Sequence, residues 1–374
     1  MSQKLKVLLL MPRESSNGGV LHYTKMVKST VNEVDFILHR RGKTARLSKV
    51  TRIPVGLFDY VLFVLKILYY RPNLVHQNTS LGRAGIVRDA FYVKVCLLFN
   101  LPLFLFIHGW NLDYEKQIDE DSEHLFRRLF LKASAISLLT ESAVASIKRW
   151  NYSGQIHQAT TSFDEGLIEG LDFSRKPVIS KSQADTLELL FISRVEPAKG
   201  VFELLEAFRE LQGEYPITLH IAGQGSALQR LKSMVEMWNL GDSVVFHGLV
   251  SGDKKRQLMF ESDVFILPSY TEGLPISLLE SLAFGMPAIV SAVGGIPRMF
   301  EDKRMGVLLE NVTSESVKKG IKQLVLMPRD ELKSIGSYNK KLAERYSTKE
   351  VMSNLPGLYL QAISFHNESR INGG

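Results

Sequence analysis

The chain has 374 residues, 45% hydrophobic and 23% charged, the make-up of an ordinary globular protein long enough for two domains. One cysteine, Cys96, excludes an internal disulfide framework and fits a reducing cytosol. The net charge of +7 is uneven: residues 1–94 carry 16 Lys and Arg against 5 Asp and Glu. That basic first segment points to an anionic neighbour, such as a membrane surface, a polyanionic acceptor or nucleic acid.

Lys4 and Lys6 precede a five-residue apolar run, Val7 to Met11, too short for the core of a signal peptide and read as the first strand. Asn17-Gly18-Gly19-Val20 follows as a glycine loop, where paired glycines let a backbone approach a phosphate or sugar, and a helix is expected from Leu21 to about Val31. His39 to Arg52 is rich in Lys and Arg without an acid and is expected to be a solvated loop. Leu57 to Tyr70 contains Asp59 and Lys66 and is too short to span a bilayer, which needs about 20 apolar residues. It reads as a helix packed on a sheet, with a second reading in which its aromatic face rests in a membrane interface.

Asn73 to His76 is a predicted strand, Gly82 to Asn100 a helix, and Leu103 to Ile107 a strand that delivers His108-Gly109-Trp110-Asn111 to its carboxyl end. This βαβα alternation predicts a doubly wound parallel sheet. Asp113 to Glu123 reads as an acidic flexible segment, and a helix is expected at Leu125 to Ala133. Ala135 to Thr140 reads as a strand and Glu141 to Trp150 as a helix. Ser174 to Thr186 is polar and aperiodic and reads as a linker.

A second α/β half opens with the strand Leu187 to Ile192 and the turn Ser193 to Gly200. Its helix places Val201, Leu204, Leu205, Phe208 and Leu211 on one face. Arg194 and Lys199 flank that turn, where a guanidinium fork and an ammonium can both meet a diphosphate. Strands are expected at Ile217 to Ile221 and Val244 to Phe246, and Gly223-Gln224-Gly225 lacks the third glycine of a dinucleotide fingerprint. Val264 to Leu267 is a buried strand, Pro275 to Phe284 a helix stopped by Gly285, and Ala288 to Ser291 a strand before Gly294-Gly295. Glu272 in the loop and Glu280 in the helix have seven residues between them. Helix rise from Pro275 to Glu280 is about 7.5 Å, so the two carboxylates can grip two ends of one elongated ligand beside a helix N-terminus, which favours phosphate. A solvated loop acid and a salt-bridged helix acid is the other reading of the bare spacing. Helices are expected at Ser314 to Met327, Arg329 to Tyr346 and Thr348 to His366, followed by a disordered tail from Asn367.

The run Pro268, Ser269, Glu272, Gly273, Glu280, Ala283, Gly285, Pro287, Gly294, Gly295 resembles the donor-domain signature of the retaining, nucleotide-sugar-dependent glycosyltransferases of family four. Two places depart from it: Pro275 stands where Gly is frequent, and Arg298 where an acid often follows the double glycine. The resemblance implies the GT-B fold, α/β, with two doubly wound Rossmann-like domains facing each other across a cleft. The domains are expected at 1–175 for the acceptor and 176–346 for the donor, with a helix at 347–366 crossing back to the first.

The resemblance implies catalytic roles for His108 and Glu272, and donor contacts for Gly18, Gly19, Arg194, Lys199, Gly273, Leu274 and Glu280. In it the first acid meets the sugar hydroxyls, the second the ribose, and His108 lies beside the donor sugar. It implies transfer from a nucleotide diphosphate sugar, UDP-linked before GDP-linked, to an acceptor hydroxyl with retention and with no metal or cofactor. The acceptor expected is a lipid-linked oligosaccharide or a cell-envelope polysaccharide precursor, with the protein cytoplasmic and peripheral at the inner face of the plasma membrane. A nucleotide-sugar epimerase or sugar phosphorylase on the same scaffold is the alternative, and no nucleic acid partner is expected.

Overall fold

The computed structural model describes residues 4–12, 19–41, 49–176, 182 and 184–372. These form two compact units, residues 1–160 with 349–374 and residues 161–348. In the first, β1 (Leu5–Pro12), α1 (Gly19–Thr30), β2 (Val34–Arg41), α2 (Lys49–Tyr70), β3 (Leu74–Leu81), α3 (Arg83–Leu98) and β4 (Leu103–Trp110) alternate. α4 (Leu112–Glu120), α5 (Leu125–Leu129), β5 (Ala135–Leu138), α6 (Glu141–Arg149) and β6 (Gln155–Gln158) follow. All pairings in its six-stranded sheet, order β2-β1-β3-β4-β5-β6, are parallel. Both faces are covered, so β1 is apolar from Val7 to Met11: Val7 and Leu9 enter one core, Leu8 and Leu10 the other.

The second unit contains β7 (Leu187–Ile192), α7 (Val201–Leu211), β8 (Ile217–Ala222), α8 (Leu228–Met237), β9 (Val244–Gly248) and α9 (Gly252–Glu261). It continues through β10 (Val264–Leu267), α10 (Ile276–Ala283), β11 (Ala288–Ser291), α11 (Ile296–Met299), β12 (Gly306–Leu309), α12 (Ser314–Leu326) and α13 (Arg329–Ala343). Its sheet is parallel in the order β12-β11-β10-β7-β8-β9. The strand order reverses between β7 and β10, and in open α/β sheets the ligand crevice lies at the carboxyl ends of such a pair.

Two closing helices, α14 (Thr348–Ser353) and α15 (Leu355–Asn372), end the chain. Tyr359 of α15 packs edge-on against Phe104 and its hydroxyl lies 2.6 Å from His76 Nδ1, so this helix covers one face of the first sheet. The chain passes between units at Thr160 and Thr348 rather than in the segment 174–186, part of which lies outside the described residues. Phe163 is buried in the second core, and its backbone pairs with Tyr346 and Thr348, which holds the two crossing strands side by side. Lys176 is also docked there: its Nζ donates to the carbonyls of Met259, Phe260 and Ser262, capping the end of α9.

Several expectations need correction. His39, Arg40 and Arg41 are not loop residues but the end of β2, with His39 and Arg41 buried, and Lys49 to Arg52 open α2. Arg41 is neutralised by an ion pair with the fully buried Asp89, a partner that the local run of basic residues does not reveal. The rest of that run, 42–48, lies outside the described residues. Asp113 to Glu120 is helical in α4, because Asn111 caps it by accepting from Tyr114 N at 2.7 Å and acids in the first turn suit its positive end. α15 continues to Asn372, past the tail expected from Asn367 to be disordered. β2, β6, α8 and α9 were not anticipated as elements.

Candidate active site

The loops after β7, β8, β10 and β11 are joined by backbone hydrogen bonds. Val195 N donates to Gln224 O at 3.0 Å, Tyr270 N to Ala198 O at 3.0 Å, and Gly295 N to Gly273 O at 2.6 Å. Gly200 and Gly294 make these approaches feasible. A Cβ on Gly200 would lie 1.9 Å from the Pro268 carbonyl oxygen, and one on Gly294 2.0 Å from that of Glu272, and both have positive φ.

Within this frame Lys199 and Glu272 meet. Lys199 Nζ lies 2.6 Å from Glu272 Oε1, each side chain 10% exposed. Ser269, fully buried, donates its hydroxyl to the same oxygen at 2.7 Å. Lys199 Nζ also reaches the Thr271 carbonyl at 3.4 Å. The ammonium expected to face a diphosphate is therefore engaged by the loop acid. Arg194, by contrast, is exposed at the start of the same turn. Leu274 is held from behind, its carbonyl accepting from Thr161 Oγ1 at 3.0 Å, and Gly273 is exposed at the loop tip.

Glu280 stands apart from that pair. It is buried inside α10, and its partner is Lys255 of α9, Nζ to Oε1 2.5 Å. Burial pushes its carboxyl above the ordinary range, and Lys255 opposes that shift. The buried carboxylate thus has a cationic partner, and no spacing in the sequence links Lys255 to Glu280.

In the first unit, His108 lies within β4 rather than beyond its end. Its Nε2 is 2.6 Å from Asn78 Oδ1, and the rings of Phe106 and Tyr23 flank it at centroid distances of 4.0 and 4.9 Å. Burial lowers its pKa to about 3, so the imidazole is neutral at physiological pH. Gly19 is the first residue of α1, and Gly18 lies outside the described residues. Asn78 was not anticipated, since nothing local marks an asparagine in β3 as a partner of β4.

Residues 172–342 match the family model described as glycosyl transferases group 1. That match falls within the second unit. The chain is 27% identical over 198 residues to the putative colanic acid biosynthesis glycosyltransferase WcaL of Escherichia coli, covering 51% of this chain and 48% of that one. It is 24% identical over 275 residues to the putative teichuronic acid biosynthesis glycosyltransferase TuaC of Bacillus subtilis, covering 69% and 63%. The match to WcaL thus spans about half the length of that relative.

Among solved structures, sucrose-phosphate synthase from Thermosynechococcus elongatus superposes with a TM-score of 0.74 at 16% identity, over 96% of this chain and all of that one. Anabaena HepE, solved with UDP-glucose, superposes with a TM-score of 0.70 at 16% identity, over 95% and 99%. With two six-stranded parallel sheets flanked by helices, the fold is GT-B.

Proposed function

We propose that the chain transfers a sugar from a nucleotide diphosphate sugar to an acceptor hydroxyl, retaining the anomeric configuration. The observation that carries this reading is the Lys199–Glu272–Ser269 cluster, with Arg194 exposed at the start of the turn that carries Lys199, at the point where the strand order of the second sheet reverses. A diphosphate arriving at Arg194 offers Lys199 a second anionic partner, and Glu272 gains freedom to accept from sugar hydroxyls. Both cations then stabilise the charge growing on the departing diphosphate. Glu280, paired with Lys255, takes the ribose hydroxyls. No metal is needed in this scheme, and turnover should persist in EDTA.

UDP-linked donors are proposed before GDP-linked ones, in keeping with the UDP-glucose complex of HepE. An envelope polysaccharide or lipid-linked oligosaccharide precursor is the proposed acceptor, in keeping with the names of WcaL and TuaC. Those names also favour transfer over epimerisation or phosphorolysis. The test is a thermal-shift titration with UDP, GDP, ADP and their common sugars. Ligand binding to the native state raises its melting temperature, and Arg194→Ala should raise the ligand concentration needed for a given shift about tenfold or more, the worth of one charge-assisted hydrogen bond. Equal responses in wild type and Arg194→Ala would remove the diphosphate from this turn.

A membrane-facing role for the first unit is supported by α2. Phe63 and Ile67 are buried, while Phe58, Val61, Leu65 and Leu68 form an exposed stripe, Phe58 at 63%. Val87 and Phe91 of α3 are exposed too, and the Phe91 ring lies tilted against Tyr60 of α2, centroids 4.1 Å apart. Such an apolar face on a basic segment suits an anionic lipid interface. No helix of the described residues is long and apolar enough to cross a membrane. Flotation with anionic vesicles should recover the protein and Phe58→Ser, Leu65→Ser should abolish it; failure of the wild-type protein to float would sink this part.

A further inference from the structure

Glu188, His220 and His247 form a line of side chains across β7, β8 and β9, the three strands at one edge of the second sheet. His220 pairs with Leu190 on one side and Val245 on the other, so its ring stands on the face shared by Glu188, Leu190 and Val245. Just beyond it the register slips. Ile221 pairs with Phe246 and Ala222 with Gly248, which leaves His247 as an extra residue of the edge strand β9. Bulges of this kind re-aim a side chain, and here the His247 ring lies 5.1 Å from that of His220.

The hydrogen bonds along this line run in one direction. Glu188 Oε2 lies 2.8 Å from His220 Nε2, and a carboxylate only accepts, so that nitrogen carries a proton. A neutral His220 ring then offers Nδ1 as a lone pair, to which His247 Nε2 donates at 2.9 Å. Burial lowers the pKa of His247, as do His220 and Lys254 of α9 against the opposing charge of Glu261, so that ring is neutral at physiological pH. One proton thus lies between two ring nitrogens.

Two nitrogens held by one tetrahedral zinc at the usual bond length of about 2.0–2.1 Å are about 3.3 Å apart. The separation here is 2.9 Å, so an outward movement of about 0.4 Å lets both lone pairs meet a cation in the proton's place. His220 is 18% and Glu188 26% exposed, which leaves the rings room for that movement. The Glu188 contact is the kind that a metal-bound histidine makes through its other ring nitrogen, fixing the tautomer and raising the basicity of the ligand. Among the described residues no group of three or more His, Cys, Asp or Glu is placed to hold a metal ion, so two rings are the protein's whole contribution and water completes the shell.

We infer that His220 Nδ1 and His247 Nε2 bind a divalent transition metal, zinc first, with Glu188 orienting His220 from behind, and that the metal clips the edge strand β9 to β8. Imidazole ligands suit zinc, copper and nickel, whereas magnesium and calcium prefer oxygen. On binding, the His247 proton moves from Nε2 to Nδ1 through water, with no net release. α9 follows β9 directly and carries Lys255, so the clip steadies the segment that supplies the partner of Glu280. None of these three residues belongs to the Lys199–Glu272 cluster. The metal adds stability rather than chemistry, independently of the transferase reading.

The experiment titrates the metal-free full chain, without an affinity tag, with zinc chloride. Calorimetry and melting temperature follow binding, and long-range proton–nitrogen NMR with labelled histidine follows the rings. One zinc per chain should bind and raise the melting temperature, since a ligand of the native state stabilises it. His220→Gln and His247→Gln should each abolish that binding. Glu188→Gln should weaken it about 10–100-fold, the effect of removing a carboxylate behind a metal-bound histidine. In the spectra zinc should convert His247 from Nε2–H to Nδ1–H, keep His220 as Nε2–H and leave the other histidines in place.

Absence of saturable binding by wild type, or equal binding in both histidine variants, overturns the site. So does a zinc response confined to other histidines, and the wild-type spectrum decides even where a variant does not fold. Magnesium chloride binding as tightly as zinc overturns ligation by nitrogen. Equal affinity in Glu188→Gln overturns the role of Glu188.

Discussion

Replacing Lys255 by Met removes the only cation within hydrogen-bond reach of Glu280 among the described residues and leaves its side chain 4% exposed. Breaking a buried pair from one side costs about 3–5 kcal/mol. Lys255 is itself 21% exposed, so water recovers part of the loss, and about 2–3 kcal/mol is expected. For a unit of this size that corresponds to a fall in melting temperature of roughly 5–10 °C.

The pH dependence has a definite sign. Burial raises the folded-state pKa of Glu280 above its unfolded value, so stability from its neutral form is full below the unfolded value, about 4.3, and is lost as pH rises through the folded one. Without Lys255 the folded value rises further, which widens that window. The penalty of Lys255→Met should therefore be large at about pH 7.5 and shrink toward about pH 5, measured by urea unfolding at each pH. Adding Glu280→Gln should restore more than half of the loss at the higher pH. A penalty below about 0.5 kcal/mol, or one that grows on acidification, would refute a charged, lysine-dependent Glu280.

Glu272→Gln should leave UDP binding within about threefold of wild type while lowering turnover by about a hundredfold or more, the scale of losing one group that acts in the transition state. Unchanged turnover would remove Glu272 from the catalytic residues. Gly294→Ala forces a Cβ toward the Glu272 carbonyl at positive φ, so it should destabilise by more than about 1 kcal/mol and impair turnover; a wild-type melting temperature would show that the loop yields. In EDTA, a fall in turnover restored by a divalent ion would overturn the metal-free scheme.

Much of the second unit was legible because its elements announce themselves locally. Val264 to Leu267 and Ala288 to Ser291 are short apolar runs bounded by Pro or Gly, and the strands lie where those runs stand. The helix starting after Pro275 and ending before Gly285 is likewise marked at both ends. The first unit was harder. β2 hides because its last residues are basic, and only the fold brings Asp89 to Arg41 across 48 positions. α4 hides because acids dominate it, although Glu115 and Asp119 are tied to Arg149, and Trp110 and Trp150 donate to them.

The sequence by itself determined which residue types crowd the strand ends: Arg194 and Lys199 on one turn, Glu272 on another and Glu280 on a helix, together with a donor-domain resemblance that names a chemistry for them. Those are local facts, readable because short-range patterning sets turns and helix caps. Tertiary structure decided the partners. Lys199 faces Glu272, Lys255 faces Glu280 and Asn78 faces His108, each pair brought together from different elements of the fold. A side chain's charge and tautomer depend on burial and on what lies within a few ångströms, and those are properties of packing that no spacing along the chain encodes.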